Sequence, residues 1–278
     1  MPNWCSNRLV VADKDESGDA LQAFVEAIRN PDYRADHESI TSEEGRAYMQ
    51  ARVDVWHEFD LTLPFPTPEI LHGTRSPTPT PESIEALREK AESDDWPHVT
   101  LERVAEEEEM MEKGKAADAV TGYPDWYDWN CANWGTKWSP NVETVVVSED
   151  VPQGHSATIH YATAWSPCQP LICKLSELWP TLIFIESYLE EGMGYYGTAT
   201  YMDGHQKHDT CGETGDDIVL STLFDQWHAA MDDENDPAEL DAYDKIISRH
   251  EALMERGLED ARAVTGLTVG AEYLSGSG

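Results

Sequence analysis

Residues 127–138 read YDWNCANWGTKW, so Trp129, Trp134 and Trp138 share one short stretch with Asn130, Asn133 and Cys131. Three kinds of chemistry would use such a set. A thiol nucleophile at Cys131, or at Cys5 in the opening MPNWCSN, needs a base beside it, and no histidine stands next to either cysteine in the sequence. An aromatic recognition platform would offer indole faces to a base, a peptide or an arginine. A packing role would bury the rings and tie the asparagine amides to backbone. Trp4, Trp126 and Trp165, with Asn3 and Asn7, extend the same choice. The expectation is an irregular loop pinned by tryptophan packing, with Trp129, Trp134 and Trp138 as the surface that a partner would meet if the platform reading holds.

A second set is GHQKHDTC, where His205, His208 and Cys211 recur every three residues, with Cys168 and Cys173 upstream. The ligand types suit a structural Zn²⁺, but the spacing is not one of the paired zinc signatures. The plain alternative is a polar hairpin loop with a buried cysteine. No other cofactor is expected. Carboxylate pairs carry little weight in a chain with 54 acidic residues. Asp125 and Asp128 flank the tryptophan stretch, and Glu186, Glu190 and Glu191 lie near a glycine-rich turn. That turn, EEGMGYYG, lacks the lysine and spacing of a phosphate loop. No catalytic residue is assigned, and the chain reads as non-enzymatic.

The charge sets the remaining function classes. The acidic residues face 19 basic ones, a net charge of −35. Such a field repels nucleic acid and membrane surfaces and attracts basic partners. It fits a solubilising surface, adaptation to a salty cytoplasm (8 of the 19 basic residues are lysine), or mimicry of a phosphate backbone. Five widely scattered cysteines do not form a disulfide framework. No apolar run is long enough to span a membrane, and the N-terminus lacks the pattern of a secretory signal, so the expected location is the cytoplasm.

These residues must be held by an α+β framework. Residues 7–12 read as a strand and 19–30 as an amphipathic helix with Leu21, Phe24, Val25 and Ile28 on one face. Residues 53–65 alternate like a strand, then a Pro/Thr-rich loop follows. Residues 81–119 read as polar helices started by Thr80 and Pro81, with 13 acidic against 5 basic residues. Strands are expected at 143–150, 156–165 and 181–189, a helix at 169–179, and a further strand before residue 204. The chain from 213 onward, with 16 acidic and 4 basic residues, reads as two helices at 216–231 and 237–263. The second has a stripe at Leu240, Tyr243, Ile247, His250 and Met254 that leaves homo-oligomer formation open.

The words MPNWCSNRLVV, LTLPFPTPE, GYPDWYDWNCANWGTKW, YATAWSPCQP and LSELWPTLIFIESYLEEGMGYYGTATYMDG, in this order, resemble the YubB-like family of phage and plasmid proteins. The resemblance implies a ferredoxin-like antiparallel sheet with helices on one face. It covers 1–65 and 121–204, and the expected ferredoxin-like core is 1–65 with 121–210, leaving 66–120 as a Pro/Thr-rich loop and acidic helical insertion and 211–278 as an acidic helical tail. It supplies no catalytic residue. The fold name does not mean an iron–sulfur cluster, and no cysteine spacing for one is present. The resulting expectation is a phage or plasmid interaction protein, a DNA mimic or anti-defence factor. It would bind a basic host or defence protein, with no direct nucleic acid and no membrane. The acidic residues expected at the contact are Glu106, Glu107, Glu108 and Glu109 in the insertion and Asp232, Asp233 and Glu234 in the tail. The alternatives are a small-ligand site or enzyme built on 123–138, and a halophile protein whose charge serves solubility alone.

Overall fold

The computed structural model describes residues 3–14, 17–31, 33, 58–93, 95–148, 155–190 and 192–213, with isolated helical positions at 222, 245, 248, 249 and 252. The contacts divide the chain into a unit of 1–65 with 138–278 and a unit of 66–137. The second unit takes in 121–137, a stretch expected from the sequence to belong to the ferredoxin-like core.

The first unit is built on six strands: β1 (Trp4–Asp13), β2 (Asn141–Ser148), β3 (Ser156–Ala164), β4 (Leu182–Glu190), β5 (Tyr195–Met202) and β6 (His205–Glu213). Their order in the sheet is β2-β3-β1-β4-β5-β6, and every pair is antiparallel. Helix α1 (Asp19–Ala27) follows β1, and a second helix (Gln169–Leu178, α5 below) follows β3. Strand, helix, two strands, helix, strand with β1 and β3 central is the split βαβ arrangement of a ferredoxin-like fold. β5 and β6 then extend the sheet beyond β4 as a meander.

The register explains what lies on each face, because alternate residues point to opposite sides. Leu9 pairs with Ile159 on one side and Glu186 on the other, and Val11 pairs with Ala157 and Phe184. This face meets α1, whose Phe24 ring sits edge-on to Phe184 at 5.4 Å and to Trp179 at 5.2 Å. Leu171, Ile172 and Leu175 of α5 are buried as well. The opposite face carries a second cluster of Val10, Ile183 and Ile185, with Met202 against it. β4 is therefore buried along its whole length, which suits its β-branched and aromatic composition.

The unit of 66–137 is helical. α2 (Pro81–Ala91) starts with Pro81 in the first turn and a reciprocal capping box between Thr80 and Ser83. α3 (Leu101–Thr121) is capped by Thr100, whose side chain accepts the Arg103 N–H. α4 (Trp126–Trp134) occupies the stretch expected to be an irregular loop. Asp125 caps it by accepting the Asp128 N–H at 3.0 Å, and the Trp126 N–H donates to Thr74 Oγ1. Gly135, at φ 80°, ends it in the left-handed region.

Two further expectations change. The strand read over 53–65 has its first five residues outside the described chain. The rest forms one bridge, Arg29 to Phe59, and turns around Asp60. Asp60 Oδ1 there accepts from the Thr62 N–H and hydroxyl and from the Ser139 hydroxyl. The GHQKHDTC segment is strand β6 rather than a hairpin loop. The helices expected beyond 213 fall outside the described residues, apart from the isolated positions named above.

Candidate functional site

The tryptophans of 127–138 divide by environment. Trp129 and Trp134 lie five residues apart on α4, 6% and 5% exposed, with ring centroids 5.8 Å apart and edge to face. Asn130 fastens the turn after the helix: its amide N–H donates to the Lys137 carbonyl at 2.9 Å, and its carbonyl accepts from Thr67 Oγ1 at 2.7 Å. Asn133 donates to the Trp129 carbonyl. Trp138, in contrast, is 43% exposed and belongs to the sheet unit, where its ring lies 6.4 Å from that of Trp4.

The thiols of the region are not primed to react. Burial, ahead of every other cause, holds the Cys131 thiol above its ordinary pKa, and the Asp128 and Asp125 charges push the same way. Cys5 is raised further, by burial and then by the charge of Glu186. Both therefore stay protonated at neutral pH, whereas a nucleophilic cysteine needs its thiolate. All five cysteines are free.

A polar cluster that residue spacing did not single out sits under α5 on the helix-covered face of the sheet. The Tyr161 hydroxyl donates to Glu186 Oε1 at 2.5 Å, and the Cys168 thiol lies 3.5 Å from the Tyr161 oxygen. Tyr161, Cys168 and Glu186 are all fully buried. Burial, opposed by the Tyr161 hydrogen bond and aided by the Asp209 charge, raises the Glu186 pKa to about 7. Its Oε2 and the Tyr201 hydroxyl have no partner among the described residues. The sequence signal was Glu186 in the middle of LIFIESYLE, a largely apolar strand that ends on a second glutamate, Glu190.

His205, His208 and Cys211 do not come together. They are spread along β6, where three residues of extended chain span about 10 Å. His208 faces Thr200 and Cys211 faces Gly197 in the register, three positions apart on β5 and so on opposite faces. Cys211 is exposed rather than buried. Among the described residues no group of three or more His, Cys, Asp or Glu side chains is placed to hold a metal ion.

Of the acidic run on α3, Glu107 is 8% exposed and paired with Arg75, Glu108 pairs with Arg88, and Glu109 pairs with Lys113 at 2.8 Å. Glu106 is exposed. The helix turns one of the four inward because residues 104, 107, 114 and 117 form its buried side. Asp232, Asp233 and Glu234 lie outside the described residues.

This arrangement agrees with a family match. Residues 133–239 match the family model described as the ferredoxin-like domain in Api92-like protein. That span holds five of the six strands, β2 to β6, and α5. The domain is therefore ferredoxin-like, under a family description different from the one that the sequence words resemble. Among solved structures, the chain is similar to the crystal structure of a protein Api92 from Yersinia pseudotuberculosis. The two share 16% identity over 77% of this chain and 98% of that one, with a TM-score of 0.37. No curated protein matches the chain. No helix among the described residues is long and apolar enough to cross a membrane.

Proposed function

We propose that the protein is a non-enzymatic interaction protein whose acidic surface engages a basic protein partner. The observation that carries this reading is how the charge is distributed. The net charge is −35, and six of the 19 basic side chains that would dilute it are paired with carboxylates among the described residues. Arg29 pairs with Glu26 and Glu58, Arg75 with Glu107, Arg88 with Glu85 and Glu108, Lys113 with Glu109, Lys115 with Glu112, and Lys174 with Glu177. Apart from the one made by the buried Glu107, these exposed ion pairs add little stability. Each paired cation is neutralised locally, and the excess of 54 acidic over 19 basic residues leaves a field of one sign.

In the setting implied by the YubB-like resemblance, a phage or plasmid product in a host cell, the partner is a basic host or defence protein that ordinarily holds nucleic acid. The raised thiol pKa values of Cys5 and Cys131 favour this over a cysteine enzyme. The test is capture of partners on the immobilised full chain across a salt series, followed by competition with duplex DNA. Retention should fall steeply with salt, as for contacts dominated by charge, and duplex DNA should displace what is retained. Retention that ignores salt, or a partner that DNA leaves in place, defeats the mimicry.

A further inference from the structure

One end of the sheet is not explained by charge alone. Trp4 at the start of β1, Trp165 just past β3 and Trp138 are 50%, 55% and 43% exposed. Met193, in the turn between β4 and β5 at the same end, is exposed as well. Tryptophan is an expensive residue to leave in water, and clusters of exposed aromatics mark contact surfaces.

Trp165 adds a second observation. Its φ is 75°, in the left-handed region that a bulky side chain rarely adopts. Two hydrogen bonds hold it there: its N–H donates to the Asn3 carbonyl at 3.0 Å, and its carbonyl accepts from the Tyr195 hydroxyl. Glycine would take this conformation without strain. The fold instead holds a strained tryptophan so that its indole stays half in water, and such strain gathers at working sites.

A third observation supplies the sign of the ligand. Glu190, opposite Cys5 at this end of the sheet, is fully buried. Its Oε2 accepts the Met193 N–H at 2.5 Å, but its Oε1 has no partner among the described residues. Gly192 lets the Asn3 amide pack close by, since a Cβ there would stand 2.2 Å from Asn3 Nδ2 and 3.1 Å from Glu190 Oε1. A buried carboxyl oxygen without a donor is costly, and a carboxyl at this end of the sheet disfavours an anionic ligand beside it.

We propose that this corner docks an arginine side chain of a basic polypeptide, with the guanidinium on the indole faces of Trp4, Trp138 and Trp165 and Glu190, buried at the same end of the sheet, favouring a cation without touching it. The inference rests on the basic-partner reading above and names the chemistry of the contact. Arginine fits better than lysine because its guanidinium is planar, weakly hydrated and stacks on aromatic rings. Nucleic-acid bases also stack on tryptophan, but their phosphates meet the −35 charge. A second copy of the chain meets the same repulsion.

The experiment titrates the full chain with capped deca-arginine and deca-lysine peptides, followed by tryptophan fluorescence and calorimetry at two salt concentrations. The arginine peptide should bind at least about fivefold tighter. Trp165→Gly should weaken the arginine peptide by about tenfold, the loss typical of a contact hot spot, and bring the two peptides close to parity. Its melting temperature should hold or rise, since glycine relieves the φ strain. Trp138→Leu keeps apolar bulk and should show the same loss of discrimination, which covers the case in which Trp165→Gly perturbs folding. Equal, salt-sensitive binding of both peptides that neither variant changes overturns the corner and leaves the acidic-surface reading standing. Absence of binding by either peptide at low salt overturns both. Variants that abolish self-association while leaving peptide binding unchanged assign the corner to a contact between copies and overturn the arginine site.

Discussion

Trp134 and Trp138 stand four residues apart, yet they do opposite things. Trp134 closes a buried edge-to-face pair with Trp129 on a short helix, and Trp138 joins Trp4 at the surface of the sheet unit. Between them Gly135 ends the helix at φ 80°, and the unit boundary follows Lys137. The density of aromatic residues therefore says little about their role. What decides it is the helix end, which separates rings that pack from rings left at the surface.

The largest test of that contrast is Trp134→Ala. Truncating a buried tryptophan in a packed pair should cost about 3–5 kcal/mol, read as a fall in the denaturant midpoint of the 66–137 unit. A loss under about 1 kcal/mol would mean that the pair is not packing, and the distinction between the two tryptophan groups would fail.

The buried carboxyls differ in the same way. In the helical unit Glu107 is paired with Arg75, whereas in the sheet Glu186 accepts from the Tyr161 hydroxyl, with the Cys168 thiol 4.0 Å from the same oxygen. Burial raises the Glu186 pKa from 4.5 to about 7, so the folded state keeps a proton that the unfolded chain has already released. Stability from this group is fully present below about pH 4.5 and is lost as pH rises through about 7. The loss is on the order of 3 kcal/mol, since each tenfold difference in proton affinity between the two states is worth about 1.4 kcal/mol. Urea unfolding of the sheet unit between pH 5 and pH 8 should show it, and Glu186→Gln should flatten the profile. An unchanged slope in that variant would place the pH dependence elsewhere.

These contrasts were only partly visible in the sequence. Strands β1 to β5 and helices α1, α2, α3 and α5 announce themselves through apolar alternation, helical stripes and the Thr80 and Thr100 caps. β6 escaped because HQKHDTCGE has no apolar face: among the described residues it is an edge strand paired with β5, and polar residues suit an edge. α4 escaped because WYDWNCANW has aromatic residues on every side and poor helix formers, so no period shows. Its signals were the Asp125 cap and Gly135, which sit at the boundaries rather than within. The corner at Trp165 required the backbone angle and the register that brings Asn3, Glu190 and Tyr195 together, and neither is written in residue spacing.

Asp125→Ala measures how far the cap, rather than the rings, makes α4. It removes the acceptor for the Asp128 N–H and for the Thr78 hydroxyl, 3.2 Å away. The expected cost is about 1 kcal/mol, the usual worth of an N-cap. That is well below the cost of Trp134→Ala, if the tryptophan pair dominates. Circular dichroism alongside the denaturation curve checks it, and a cost equal to that of Trp134→Ala would make the cap the dominant element.

The smallest expected effect is the sharpest test of the contrast. Trp138→Ala removes a large ring, but one that is 43% exposed and 6.4 Å from its aromatic neighbour. If the ring serves contact rather than packing, its loss should shift stability by no more than about 0.5 kcal/mol, the range of surface substitutions. Fluorescence should lose the component that is accessible to a neutral quencher such as acrylamide. A cost near that of Trp134→Ala would show that Trp138 is a packing residue too. The helix end at Gly135 would then separate two elements without separating two roles.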